Sequence, residues 1–210
     1  MSSITETPNE LTLDIDVASP VGIVRLLRAA DSQICNGYRG YPGLYDDEMV
    51  ARLLQSIQWA APLMGKPDCA IVIAGAGTSG RLAMVAARTF NQFLVARKKS
   101  PNLHYLIAGG NLALIKAQEG AEDDPHQAWT DLLPIISGKK KVLYIGVTCG
   151  LSAPYVAGQL YQLSRRPNAQ SILMGFNPEQ GARDVEVENW DRKFADVVRF
   201  IRRKANYLLL

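Results

Sequence analysis

A chain of 210 residues, 48% hydrophobic and 20% charged, is long enough to bury one good core, and one domain with a helical appendage is the default expectation. A formal net charge of +3, with basic residues scattered outside Arg199, Arg202, Arg203 and Lys204, argues against nucleic acid as a partner; that cluster reads best as a solvated helix face. Cys35, Cys69 and Cys149 are odd in number and lack metal-ligand spacing, and neither a leader pattern nor an apolar run of bilayer length is present, so the expectation is a soluble intracellular chain with reduced thiols, no disulfide, no metal and no membrane partner.

Residues 1–18 read as an extended, polar lead-in. Ser19-Pro20 then supplies an N-cap and a first-turn proline for a helix carrying Ile23, Val24, Leu26, Leu27 and Ile34. A turn-rich stretch, Asn36 to Tyr45, breaks it, and helical periodicity returns over Asp46 to Met64 with Met49, Val50, Leu53, Leu54, Ile57 and Ala61 on one face. From Cys69 the pattern alternates. Strands are predicted at 69–74, 103–108, 141–147 and 170–176, and helices at 79–96, 112–118, 125–136, 152–164 and 187–207. The last helix places Trp190, Phe194, Val197, Val198, Ile201 and Leu208 on one stripe. Short continuous apolar strands between helices imply an α/β fold, a parallel sheet covered by helices on both faces, in which ligands sit outside the carboxyl ends of the strands. The organisation expected is residues 1–66 as an N-terminal extended segment and helices, and residues 67–210 as the ligand-binding domain.

Three strand ends carry chemistry. The apolar run Ile71 to Ala74 enters Gly75-Ala76-Gly77-Thr78-Ser79-Gly80-Arg81, where glycines let the backbone approach a ligand, Thr78 and Ser79 add hydroxyls, and the following helix contributes free N–H groups and its positive dipole end. That combination favours a phosphate. It is not a Walker loop, and no convincing acidic residue follows at dinucleotide-binding distance. A bare strand-to-helix turn is the competing reading, against which the Thr-Ser pair argues. After Val147, Thr148-Cys149-Gly150-Leu151-Ser152-Ala153-Pro154 repeats the hydroxyl-and-glycine chemistry, so two loops can close on one phosphate. Beyond Ala108-Gly109-Gly110, the stretch Gln118 to Asp124 is an acidic cluster suited to sugar hydroxyls or to a general base, or simply to a solvated helix start; spacing leaves both readings open. His104 and His126 have no companion ligands and read as structural, Trp129, Trp190 and Tyr155 as core or interface. Cys149 is a candidate reactive thiol only if its loop stabilises the thiolate.

Taken together, Gly75 to Arg81, Leu106-Ile107-Ala108-Gly109-Gly110, Glu119-Gly120-Ala121-Glu122-Asp123 and Gly175-Phe176-Asn177-Pro178 resemble the sugar isomerase (SIS) domain shared by N-acetylmuramic acid 6-phosphate etherases and glucokinase regulatory proteins. Ile4-Thr5-Glu6, with Asn9, Leu11, Thr12, Asp14 and Asp16, and then Ile23 to Leu27, extends the similarity over nearly the whole chain. The resemblance implies a Rossmann-like, three-layer sheet sandwiched by helices. It also implies that Gly77, Thr78, Ser79, Thr148, Gly150 and Ser152 surround a phosphate, while Glu119 and Glu122 reach sugar hydroxyls. Thr148 replaces a serine of the family pattern and keeps its hydroxyl.

The two branches differ in chemistry. The etherase reaction, proton abstraction beside a masked carbonyl, loss of lactate and water addition, calls for two carboxylates. Glu122 matches one of them. The other falls where Arg88-Thr89-Phe90-Asn91-Gln92 stands, so Thr89 occupies a glutamate's place and no catalytic turnover is expected. Phe90-Asn91-Gln92, Gly138-Lys139-Lys140-Lys141 and Gly150 to Pro154 resemble the regulatory branch instead. That branch implies fructose phosphates as ligands, glucokinase as partner, no cofactor, and a cytoplasmic and nuclear location, with pairing of two copies through the first two helices. The family pattern continues past Tyr207-Leu208-Leu209-Leu210 into a second SIS domain and a helical cap, so a truncated product or fragment is expected.

Overall fold

The computed structural model describes residues 4–188, 190–204 and 206–209. The lead-in is not extended: it folds as three 3-10 turns, Ile4–Glu6, Glu10–Thr12 and Ile15–Val17. Short polar side chains there satisfy local backbone, as when Asn9 Oδ1 accepts the Leu11 N–H at 3.0 Å. Helix α1 (Pro20–Asn36) starts as expected, with Ser19 Oγ accepting the Gly22 N–H at 3.2 Å. Helix α2 (Asp47–Ala60) follows the turn-rich stretch. Neither helix has a fully buried residue, and Val24, Leu27, Ile34, Leu54 and Ile57 are exposed.

The remainder is a three-layer α/β domain. Strands β1 (Cys69–Gly75), β2 (Leu103–Ile107), β3 (Lys141–Val147), β4 (Ala169–Met174) and β5 (Tyr207–Leu209) form one sheet in the order β2-β1-β3-β4-β5, with every pairing parallel. Because successive side chains alternate between faces, Ile71, Leu143, Ile172 and Leu208 lie on one side, with Ala87 and Leu94 of α3 (Gly77–Ala96) and Leu63 from the turn after α2. Val72, Tyr144 and Leu173 face the other side, against α4 (Pro125–Ile136), α5 (Pro154–Leu163) and α6 (Phe194–Ile201). Asn102, 2% exposed, pins the entry to the sheet: its Oδ1 accepts the Gly65 N–H at 2.8 Å and its Nδ2 donates to the carbonyls of Leu63 and Lys66 at 2.8 and 3.1 Å.

Several element boundaries depart from the sequence reading. The expected helix over 187–207 is only α6, after which the chain turns at Arg202 and Arg203 and re-enters the sheet as β5. Phe194, Val197, Val198 and Ile201 do form a buried helical stripe, but Leu208 pairs with Ile172 on the opposite face of the sheet, and Trp190 sits in an isolated bridge with Val187. The edge of β4 would otherwise leave a row of backbone groups unpaired, and β5 takes them up. Asn189 and Ala205, which fall within that expected helix, and Leu210 beyond it lie outside the described residues. The helix expected at 112–118 is a 3-10 turn, Gly110–Leu114, entered through Gly109 and Gly110 at φ +83° and +66°. Helix α3 begins two residues before Ser79, and α5 two residues after Ser152. Among the described residues no helix is long and apolar enough to cross a membrane.

Candidate functional site

Strand register places Gly75 beside both Ile107 and Val147, and Val147 beside Met174. The loops after β1, β2, β3 and β4 therefore leave the sheet along one edge. From β1 the chain goes to α3 on one face, and from β3 to α5 on the other, so the sheet's switch point lies between β1 and β3. Crevices at such points are where open α/β sheets hold ligands. Both hydroxyl-bearing loops flank this crevice.

In the first loop, Gly77 takes φ +52° and opens α3, with Gly77 and Thr78 exposed and Ser79 half-buried. Two glycines are there for close packing. A Cβ on Gly75 would lie 2.8 Å from the Ser79 Cβ, and one on Gly80 would lie 2.5 Å from Ile107 Cγ1. The N-cap residue of α3, Ala76, supplies no side-chain acceptor, and neither does Ala153 of α5, whereas α1 and α4 are capped by Ser19 and Asp124. The α3 start thus keeps first-turn N–H groups for something other than a cap residue, whereas at α5 Pro154 has no N–H and the Val156 N–H donates to the Ala153 carbonyl at 3.0 Å.

The second loop is braced from within. Thr148 is buried and its Oγ1 accepts the N–H of Ser152 at 3.2 Å and of Ala153 at 3.4 Å, which leaves its hydroxyl proton to donate. Leu151, wholly buried, takes φ +52°, an uncommon conformation for a branched residue, and its side chain occupies the space that a Cβ on Gly175 would enter, 2.6 Å from Leu151 Cδ2. Behind the loop, the hydroxyl of Tyr155 donates to Asp131 Oδ2 at 2.7 Å, and that of Tyr144 donates to Gln159 Oε1 at 2.7 Å while Gln159 Nε2 donates to the Ala128 carbonyl. Burial, and then the Asp131 carboxylate, push the Tyr155 phenol far above its ordinary range, so it stays a neutral donor locking α5 to α4.

The acidic stretch comes to the same crevice through a residue that sequence reasoning missed. Arg183 Nη1 donates to Asp123 Oδ1 at 2.5 Å and to the Ser152 carbonyl at 3.3 Å, and the Arg183 N–H donates to the Leu151 carbonyl at 3.0 Å. Arg183 lies in an irregular segment after β4 with no motif around it, so nothing local marked it. Glu119 and Glu122 are exposed on this loop, whereas Asp124 is committed to capping α4.

Asn177 was visible only as part of a motif. It is 6% exposed; its Oδ1 accepts the Ile4 N–H at 3.0 Å and its Nδ2 donates to the Gly150 carbonyl at 2.9 Å. Thr89 does not join the site. It lies twelve residues along α3 from Gly77, about 18 Å at 1.5 Å per residue, with its hydroxyl donating back to the Val85 carbonyl at 2.8 Å. Cys149 is exposed beside the loop, but desolvation pushes its thiol up, away from the activated thiolate that would make it reactive. His126 N–H is used in capping, and His104 sits half-buried in β2. The basic end of α6 is drawn into ion pairs, Arg199 with Asp196 at 3.1 Å and Arg202 with Glu179 at 3.0 Å.

A doubly covered parallel sheet, with glycine- and hydroxyl-rich loops on both sides of its switch point, defines a Rossmann-like domain whose loop-bearing edge carries donors suited to an anion. Residues 52–164 match the family model described as the glucokinase regulatory protein N-terminal SIS domain, and the chain belongs to that family. It is 36% identical to the glucokinase regulatory protein of Xenopus laevis over 92% of this chain and 32% of that protein. With the human glucokinase regulatory protein the identity is 34%, over 95% of this chain and 33% of the relative. The chain therefore spans about a third of the length of these relatives. It is also 34% identical to the N-acetylmuramic acid 6-phosphate etherase of Thermobifida fusca, over 87% of this chain and 56% of that enzyme.

Proposed function

We propose that the chain is a sugar-phosphate-binding regulatory domain whose ligands are fructose phosphates and which binds without turning them over. The observation that carries this reading is the convergence of two hydroxyl-bearing loops on the β1/β3 switch point, with helix starts on both sides lacking a side-chain cap. Gly77, Thr78, Ser79, Thr148, Gly150 and Ser152 hold the phosphate, and Glu119 and Glu122 accept hydrogen bonds from the sugar. Membership of the glucokinase regulatory protein family supports glucokinase as the partner, and the location that goes with this reading is the cytoplasm and nucleus. Residues 67–210 are the ligand-binding unit, and residues 1–66 carry the apolar helices through which a second copy pairs.

Etherase chemistry is the second reading, favoured by Glu122 and by the etherase relatives. Against it stands Thr89, whose hydroxyl is no carboxylate base and which lies well along α3 from the loops of its own chain. Calorimetric titration with fructose 6-phosphate, fructose 1-phosphate and N-acetylmuramic acid 6-phosphate, with the last assayed for lactate, separates the readings. Fructose phosphate binding without lactate is expected. Lactate release at an enzymatic rate overturns the regulatory reading. Ser79→Ala should weaken binding by about 1–3 kcal/mol, roughly 5- to 150-fold, if a buried phosphate hydrogen bond is lost.

A further inference from the structure

Gly150 is surrounded by polar groups from three distant parts of the chain. A Cβ built on it would lie 3.4 Å from Ser152 Oγ, 3.6 Å from Thr5 Oγ1 and 3.7 Å from Asn177 Nδ2. Glycine at this position keeps open a small space between two hydroxyls and an amide. The space lies on the second phosphate loop, at the edge of the sheet where the crevice opens.

Thr5 lies in the 3-10 turn Ile4–Glu6, part of the segment 4–10, which is held at both ends. At one end Asn177, buried and spanning both partners, accepts the Ile4 N–H and donates to the Gly150 carbonyl. At the other, Asn9 Nδ2 donates to Gln33 Oε1 of α1 at 2.6 Å, and Glu10 pairs with Arg39. A polar segment with no fully buried residue of its own has little hydrophobic reason to lie across a loop. Its position is fixed by these polar ties.

From this geometry we infer that the N-terminal segment is a wall of the ligand site: Thr5 supplies a hydroxyl to the bound phosphate from the side opposite α3, and Asn177 is the positioning residue that holds it there. The inference rests on the sugar-phosphate reading above. It adds a contact from outside residues 67–210, so ligand binding and docking of residues 4–10 are linked: each favours the other by the same factor. A phosphate held only by the loops after β1 and β3 would not need the first ten residues.

Titration of the full chain with fructose 6-phosphate, and in parallel with inorganic phosphate, tests this. Thr5→Val should weaken both by about 10- to 150-fold, the loss of one hydrogen bond to a charged group, and Thr5→Ser should restore them. Gly150→Ala puts its methyl in ordinary van der Waals contact, so the variant should melt like the wild type while losing affinity because the space is filled. Hydrogen exchange on the wild-type chain should show the peptide covering residues 4–11 slowing when ligand is added, a readout that a purely structural Thr5 would not move. Unchanged affinity in Thr5→Val, or unchanged exchange in that peptide at saturating ligand, overturns the inference while leaving the sugar-phosphate reading intact. Absence of any binding by the folded wild-type chain removes both together.

Discussion

At Gly80 the sequence motif and the packing have the same cause. The glycine is buried where α3 crosses the end of β2, and a methyl there would meet Ile107 Cγ1 at 2.5 Å, Ile107 Cβ at 2.7 Å and the Gly75 carbonyl at 2.9 Å. Gly80→Ala should therefore destabilise by about 1–3 kcal/mol through overpacking, read as a lower denaturation midpoint at unchanged slope. Ile107→Ala in the same chain should return part of it, as expected for residues in contact. His104 sets a pH dependence. Burial, then the nearby positive charge of Lys139, hold its imidazole below the ordinary histidine range, favouring the neutral ring in the folded protein. The unfolded chain binds the proton first as pH falls. The stability tied to His104 is thus complete above about pH 6.5 and is lost as pH drops through the lower folded-state value. Melting temperatures measured from pH 7.5 down to 5.5 should fall less steeply in His104→Gln than in the wild type; equal slopes would remove His104 as the cause.

Between elements, the decisive groups are few and polar. Asn102 ties the turn after α2 to the beginnings of β1 and β2 with hydrogen bonds to four backbone groups, those of Leu63, Gly65, Lys66 and Cys69. Asn102→Ala leaves the half-buried Gly65 N–H without its acceptor, although the Leu63 and Lys66 carbonyls still accept the Lys66 and Cys69 N–H groups, and should lose about 1–3 kcal/mol of stability, measurable by urea denaturation, while Asn102→Asp should not restore it because its carboxylate would face the Leu63 and Lys66 carbonyls. The pairing of α4 with α5 has the same character: Tyr144, Gln159, Tyr155 and Asp131 form polar links inside an otherwise apolar layer, and they fix where the loop after β3 can sit. Periodicity in the sequence locates α4 to the residue because Asp124-Pro125 is both a cap and a first-turn proline. It does not locate α6, because a stripe of four apolar positions fits a short helix as well as the beginning of a long one.

For the whole molecule, the apolar surface left open on α1 and α2 is the main imbalance. Val24, Leu27 and Ile34 on one helix, and Leu54 and Ile57 on the other, remain exposed in the single chain. The pairing proposed above predicts a sedimentation mass near twice the 23.0 kDa of one chain. Leu27→Asp with Leu54→Asp should return it to a single-chain mass, since burying an unpaired carboxylate outweighs the apolar area gained. A wild-type mass of one chain at high protein concentration would remove the pairing. Dimer loss with fructose 6-phosphate affinity unchanged would place the whole pocket within one copy.

The amino-acid sequence determined the alternation of strands and helices, the apolar content of each strand, and the two loops where glycine and hydroxyl residues follow a strand end. These are local properties: a strand-to-helix turn that admits a phosphate needs small residues and donors within a few positions of one another. The tertiary structure decided the rest because the groups concerned are far apart in the chain. The β2-β1-β3 order makes neighbours of loops separated by about seventy residues, Arg183 joins Asp123 to the Ser152 loop, and Asn177 ties Ile4 to Gly150, which brings Thr5 beside that glycine. Leu208 became a strand residue for a similar reason. Its apolarity was plain, but only the unpaired edge of β4 could show that backbone hydrogen bonding, and not helical periodicity, would place it.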